Sequence, residues 1–148
     1  MSQPDFKREI AADGSVRISS GDIAFAFHRP KAGVLVVTIT GYDKGQCGTA
    51  PLEEIDTVLR LVGRLQLFVD ARSAVGATVR VSEDWTRFFS RRKDELRHVH
   101  VLAGSKMVEL TVAIAGHLSR TGKLIQIYSD PAIFEAQLAL ACKQARER

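Results

Sequence analysis

Short runs of consecutive apolar residues alternate with stretches where apolar residues recur every three or four positions. This alternation fills the second half of the chain. Gln66-Leu67-Phe68-Val69-Asp70, Val99-His100-Val101-Leu102-Ala103-Gly104 and Leu124-Ile125-Gln126-Ile127-Tyr128 supply the runs. Strand signals separated by helical patterns predict parallel pairing with crossover helices. Upstream, Val16-Arg17-Ile18, Ile23–Phe27 and Val34–Thr40 read as three further strands. Ser19-Ser20-Gly21-Asp22 and Arg29-Pro30-Lys31-Ala32-Gly33 supply turn-forming residues between them. The expectation is an antiparallel meander that leads into a parallel half.

The helical patterns have recognisable ends. Gly41 to Thr49 reads as a loop, and Pro51 then suits a first helical turn, where its missing N–H costs nothing. Leu52, Ile55, Leu59 and Val62 follow at helical spacing, with Gly63 near the end. Ala71 to Val81 reads as a long loop. Ser82-Glu83-Asp84 then looks like a helix start, a capping hydroxyl followed by two acids, with Trp85, Phe88, Phe89 and Leu96 as the buried stripe. A helix over 105–120 carries Met107, Leu110, Thr111, Ile114 and Leu118, and Val108 and Val112 fall on a neighbouring face. Its apolar arc is wider than one sheet face requires, so part of it, with Val108 and Val112, is expected to meet a second subunit, a partner or an apolar ligand. Asp130-Pro131 opens a last helix with Phe134, Leu138 and Ala141 facing in, and Lys143, Arg146 and Arg148 suited to its negative end. The sum is one α/β domain over 16–148, after a polar lead-in at 1–15. Its mixed sheet has five or six strands, antiparallel at the start and parallel in the second half, with about four helices.

Composition narrows the class. The chain has 148 residues, 45% hydrophobic and 26% charged, which suits one globular domain with a real core. Its apolar runs fall far short of the roughly 20 residues of a membrane span, and Met1 to Glu9 lacks the apolar core of a signal peptide. A cytoplasmic protein without an integral membrane segment is expected. The formal net charge is +4. The basic cluster Arg87, Arg91, Arg92, Lys93 and Arg97 is interleaved with Glu83, Asp84, Asp94 and Glu95. That spacing gives ion pairs on a solvated helix face and no nucleic-acid partner. Cys47 and Cys142 stand in no ligand spacing and read as free thiols.

Candidate chemistry is sparse. His98 and His100 share one face of a strand, but no further ligands can be named beside them. His28 and His117 are isolated. Asp43, Asp70 and Asp130 lie at or just beyond predicted strand ends, where open α/β sheets bind ligands. Turns and helix caps account for all three. A response-regulator receiver would add an adjacent acidic pair and five β–α units, neither of which is present. Gly41-Tyr42-Asp43-Lys44-Gly45-Gln46-Cys47-Gly48-Thr49 sits where a phosphate loop would, without the order of either phosphate-binding fingerprint. No enzyme, cofactor or metal is expected. Trp85, Phe88, Phe89, Met107, Val108 and Val112 remain as a candidate interaction or apolar-ligand surface.

Three early strands, then helix–strand three times, then a final helix resembles the STAS domains and anti-sigma factor antagonists. More specifically, it resembles the SpoIIAA-like family, grouped by fold with the Sec14 lipid-transfer proteins. Ser82-Glu83-Asp84-Trp85, His98–Gly104, Ser105-Lys106-Met107 and Leu124–Leu138 carry the resemblance. It implies a non-enzymatic regulatory module working through a protein partner or homodimer, or alternatively a carrier of a small apolar or lipid-like ligand. In the antagonists an Asp-Ser-Ser-Gly-like motif holds a phosphorylated Ser at the start of a helix. Ser82 is the candidate regulatory residue at a comparable place, but Glu83 and Asp84 would repel a phosphate there. Ser82 is therefore expected to cap the helix.

Overall fold

A computed structural model describes residues 5–146. Its elements are β1 (Lys7–Ile10), β2 (Val16–Ser20), β3 (Ile23–Lys31), β4 (Val34–Asp43), α1 (Ala50–Val62), β5 (Leu65–Ala77), α2 (Val79–Arg92), β6 (Leu96–Ala103), α3 (Lys106–Leu118), β7 (Ile125–Tyr128) and α4 (Pro131–Arg146). The seven strands lie in one sheet in sequence order. β1 to β4 pair antiparallel, and β4 to β7 pair parallel.

The expected five or six strands become seven because β1 forms within the polar lead-in. All four of its residues are exposed, so no apolar signal marks it. Backbone pairing with β2 holds it, helped by the Arg8–Glu54 ion pair to α1 at 3.0 Å. The Ser20 hydroxyl also donates to the Asp5 carbonyl at 2.7 Å.

The three parallel steps all advance the same way across the sheet. Parallel crossovers share one hand, so α1, α2 and α3 fall on the same face. Leu35 and Val37 of β4, Leu67 and Val69 of β5, and Val99 and Val101 of β6 meet them there in the main core. The alternate residues face the other way. Val34, Phe68 and Leu102 pack with Phe134 and Ala141 of α4 in a second, smaller core. α4 follows the last strand, is bound by no crossover, and covers this opposite face. The cationic end expected from Arg146 and Arg148 lies outside the described side chains.

Two expectations about β5 and α2 are corrected. The expected loop at 71–81 is mostly strand, for β5 continues for 13 residues to Ala77. Its pairing with β4 shifts register after Thr38 and again after Gly41. Such bulges break the apolar alternation by which a strand is read. Two glycines admit close backbone approaches next to this region, Gly41 to the β2–β3 turn and Gly104 to β5. A Cβ on Gly41 (φ +98°) would lie 2.1 Å from the Asp22 carbonyl oxygen, and one on Gly104 would lie 2.2 Å from that of Arg72.

The α2 cap is Thr78, not Ser82. The Thr78 hydroxyl accepts the Val81 N–H at 3.3 Å, and the Thr78 carbonyl accepts the Ser82 N–H at 3.0 Å. Ser82 is already in the first helical turn. The β-branched Val79 and Val81 hide the true start, because both read as strand. α3, by contrast, starts as expected, with the Ser105 hydroxyl accepting the Val108 N–H at 3.2 Å.

Thr78→Ala should cost about 1 kcal/mol of stability, measured by urea unfolding, with Ser82→Ala costing less than half as much. Equal losses would place the cap wrongly. Phe68, fully buried between the sheet and α4, should cost about 3–5 kcal/mol on truncation to Ala, and a loss below about 1 kcal/mol would misplace that strand.

Candidate functional site

Small side chains along the second half of β5 leave a gap beneath the helices. Ala71, Ala74, Gly76 and Ala77 line it, and Ile39 and Val101 come from the flanking strands. Trp85 and Phe89 of α2 enclose it from one side, and Val108, Val112 and Ala115 of α3 from the other. The two rings pack against each other at 5.8 Å and against Phe88, at 6.4 and 5.9 Å. The result is a half-open apolar cavity of about 100 Å³. It is of the order of the roughly 150 Å³ cavity that accepts benzene in an engineered protein core.

Polar groups at the cavity are few. Asp43, Ser82 and Thr111 line it. The Thr111 hydroxyl donates to the Met107 carbonyl at 2.9 Å, which leaves its methyl for apolar contact. Asp43 is 9% exposed, and its Oδ1 accepts the Gly45 N–H at 2.9 Å. Burial raises the Asp43 carboxyl above the usual range, and nearby Asp84 adds to this. The neighbouring Cys47 is a free, buried thiol, pushed up to about 11 by burial and by Asp43.

The candidate surface residues part company. Trp85, Phe89, Val108 and Val112 meet at the cavity, with Ser82 beside them. Phe88 is fully buried core. Met107 is 67% exposed on the far side of α3. The phase of α3 is thus opposite to the expected one. Val108 is buried and Val112 half-buried against the sheet, while Met107, Leu110, Ile114 and Leu118 face outward. The sheet-facing stripe is built from small residues because α3 lies close. A Cβ on Gly116 would come 3.5 Å from Ile125 Cδ1.

The remaining candidates have structural partners. Asp70 lies inside β5, not at its end, and binds Arg72 at 2.9 Å, which reaches Glu135 of α4 at 3.2 Å. Asp130 caps α4, its Oδ1 accepting the Ala132 N–H at 2.9 Å. Basic residues of α2 pair with acids, though not at the i,i+4 spacing expected: Arg87 binds Asp84 three residues away, and Arg92 reaches Asp56 of α1 at 2.8 Å. His98 and His100 share the α4 face, ring centres 5.9 Å apart. His100 stacks on Phe68 at 4.3 Å. Tyr128 donates to Gln126 at 2.7 Å, and His100 Nδ1 meets the Tyr128 hydroxyl at 2.8 Å. Among the described residues, no three His, Cys, Asp or Glu side chains gather as metal ligands would, and no helix is long and apolar enough to cross a membrane.

This architecture, a sequentially ordered mixed sheet with three crossover helices on one face and a terminal helix on the other, is of the SpoIIAA-like class. The similarity is to the crystal structure of an uncharacterised protein of the DUF3478 family with a SpoIIAA-like fold, from Shewanella loihica PV-4. The TM-score is 0.59 at 14% identity, over 81% of this chain and 98% of that one. No family model and no curated protein matches the sequence.

His100 gives the molecule a pH signature. Burial, then the neighbouring His98, lowers its pKa to about 4. An unfolded histidine takes up its proton below about 6.5. Between these values the unfolded chain binds the extra proton, so stability falls as pH falls. From pH 7 to 4.5 this contributes a loss of about 2 kcal/mol. In urea unfolding at both pH values, His100→Phe should lack that part of the loss, and an unchanged difference would refute the assignment.

Proposed function

We propose that this chain is a non-enzymatic binding module that takes a small apolar ligand into the cavity between α2, α3 and β5. The observation that carries the reading is the cavity itself. Four side chains singled out for their apolar character, Trp85, Phe89, Val108 and Val112, meet around one half-open space. Concave, mostly apolar spaces with a few polar groups are where small molecules bind. A binding role fits better than turnover, because what the lining chiefly offers a ligand is removal of apolar surface from water. The SpoIIAA-like fold accommodates this role without dictating it.

A second reading rests on the outer face of α3. Met107, Leu110, Ile114 and Leu118 are 67, 61, 49 and 65% exposed and stand at helical spacing. They form an apolar stripe suited to a regulatory protein–protein contact. Leu110→Glu should weaken any self-association seen by sedimentation while leaving the fold intact. A wild type that stays monomeric at high concentration would remove self-association as the use of this face.

For the cavity, toluene titrated into the protein should shift the NMR signals of the Trp85 indole and the Val112 methyls and raise Tm. Ala115→Phe, which fills the space, should abolish both effects. Shifts confined to other residues would overturn the reading. Native mass spectrometry of protein purified from cells should show a bound small mass.

A further inference from the structure

The cavity holds a carboxylate that a purely apolar ligand would leave without a partner. Asp43, at the end of β4, lines the space and is more than nine-tenths buried. Gly45 N–H occupies its Oδ1, while no described residue hydrogen-bonds its Oδ2 or pairs with it as a cation. The nearest cation along the chain, Lys44, sits 5.9 Å over the Tyr42 ring. Asp84 adds negative charge nearby. The free oxygen keeps access to solvent, and the described residues offer this largely buried carboxylate no counter-charge.

Resting on the cavity reading, we propose that the ligand is a small apolar amine, its ammonium paired with Asp43 and its apolar body lying among Trp85, Phe89, Val108 and Val112. The ammonium would donate to Asp43 Oδ2, a charge-assisted hydrogen bond in a partly dry site, where such bonds are strongest. The cavity volume limits the body to about the size of one ring.

Three probes with the same ring and benzylic carbon separate the possibilities: benzylamine, benzyl alcohol and toluene, titrated at neutral pH by calorimetry and by NMR at the Trp85 indole. Benzylamine should bind about tenfold more tightly than either of the others. Asp43→Asn keeps the Oδ1 acceptor for Gly45 and removes the charge, so it should erase the benzylamine preference. The wild-type comparison stands even if that variant folds poorly. Toluene binding with no preference for benzylamine overturns the amine inference and leaves the apolar cavity standing. Binding of none of the three overturns both.

Discussion

Strand β5 is hydrogen-bonded along both edges, to β4 and to β6, and the two sides of the molecule are organised by the alternation of its side chains. Leu65, Leu67, Val69 and Ala71 point to the face that carries α1, α2 and α3. Phe68, between them, points to α4. A slip of one residue would exchange the two sets, placing a phenylalanine under three helices and the small Ala71 under one. Pairing on both edges makes that slip unavailable without losing two ladders.

The same strand explains why the cavity lies where it does. Up to Val69 its inward side chains, Leu65, Leu67 and Val69, are bulky and belong to the main core. From there on they shrink to Ala71, Ala74, Gly76 and Ala77, and Trp85 and Phe89 of α2 border the space that this leaves. The register shifts against β4 fall in this same region. Bulged strand, small side chains and bulky helix residues together make a concavity that close packing would otherwise eliminate.

Elements with dense apolar patterning were readable from the amino-acid order. β2, β3, β4, β6, β7 and the four helices fall on the expected runs and spacings, although β4 runs on to Asp43, α2 starts at Val79, and Leu96, expected in the α2 stripe, opens β6. β1 was not, because Lys7, Arg8 and Glu9 bury nothing and the strand exists only through its pairing. The second half of β5 was not, because bulges and small residues erase alternation. For α3, spacing marked the helix and could not choose its inward face. Two apolar stripes were available, and the bulkier one, with Met107, Leu110 and Leu118, turned out to be exposed. The choice depended on how close β7 allows the helix to come, a distance that no single segment encodes. Of the cavity residues, Trp85, Phe89, Val108 and Val112 were visible as apolar candidates. Asp43 was visible as a strand-end residue that turn formation could explain, and its burial could not be read, since it is set by residues distant in sequence.

The charged, shallow character of β1 bears on solubility. A sheet ordered from first strand to last keeps two open edges, each a row of backbone donors and acceptors able to recruit a strand from another molecule. At one edge, Lys7, Arg8 and Glu9 stand in full exposure on a four-residue strand, and a second chain approaching there would have to desolvate those charges. At the other edge, β7 is also only four residues long, too short to template much pairing. The strand that contributes least to the core thus shields the sheet from adding another molecule to itself.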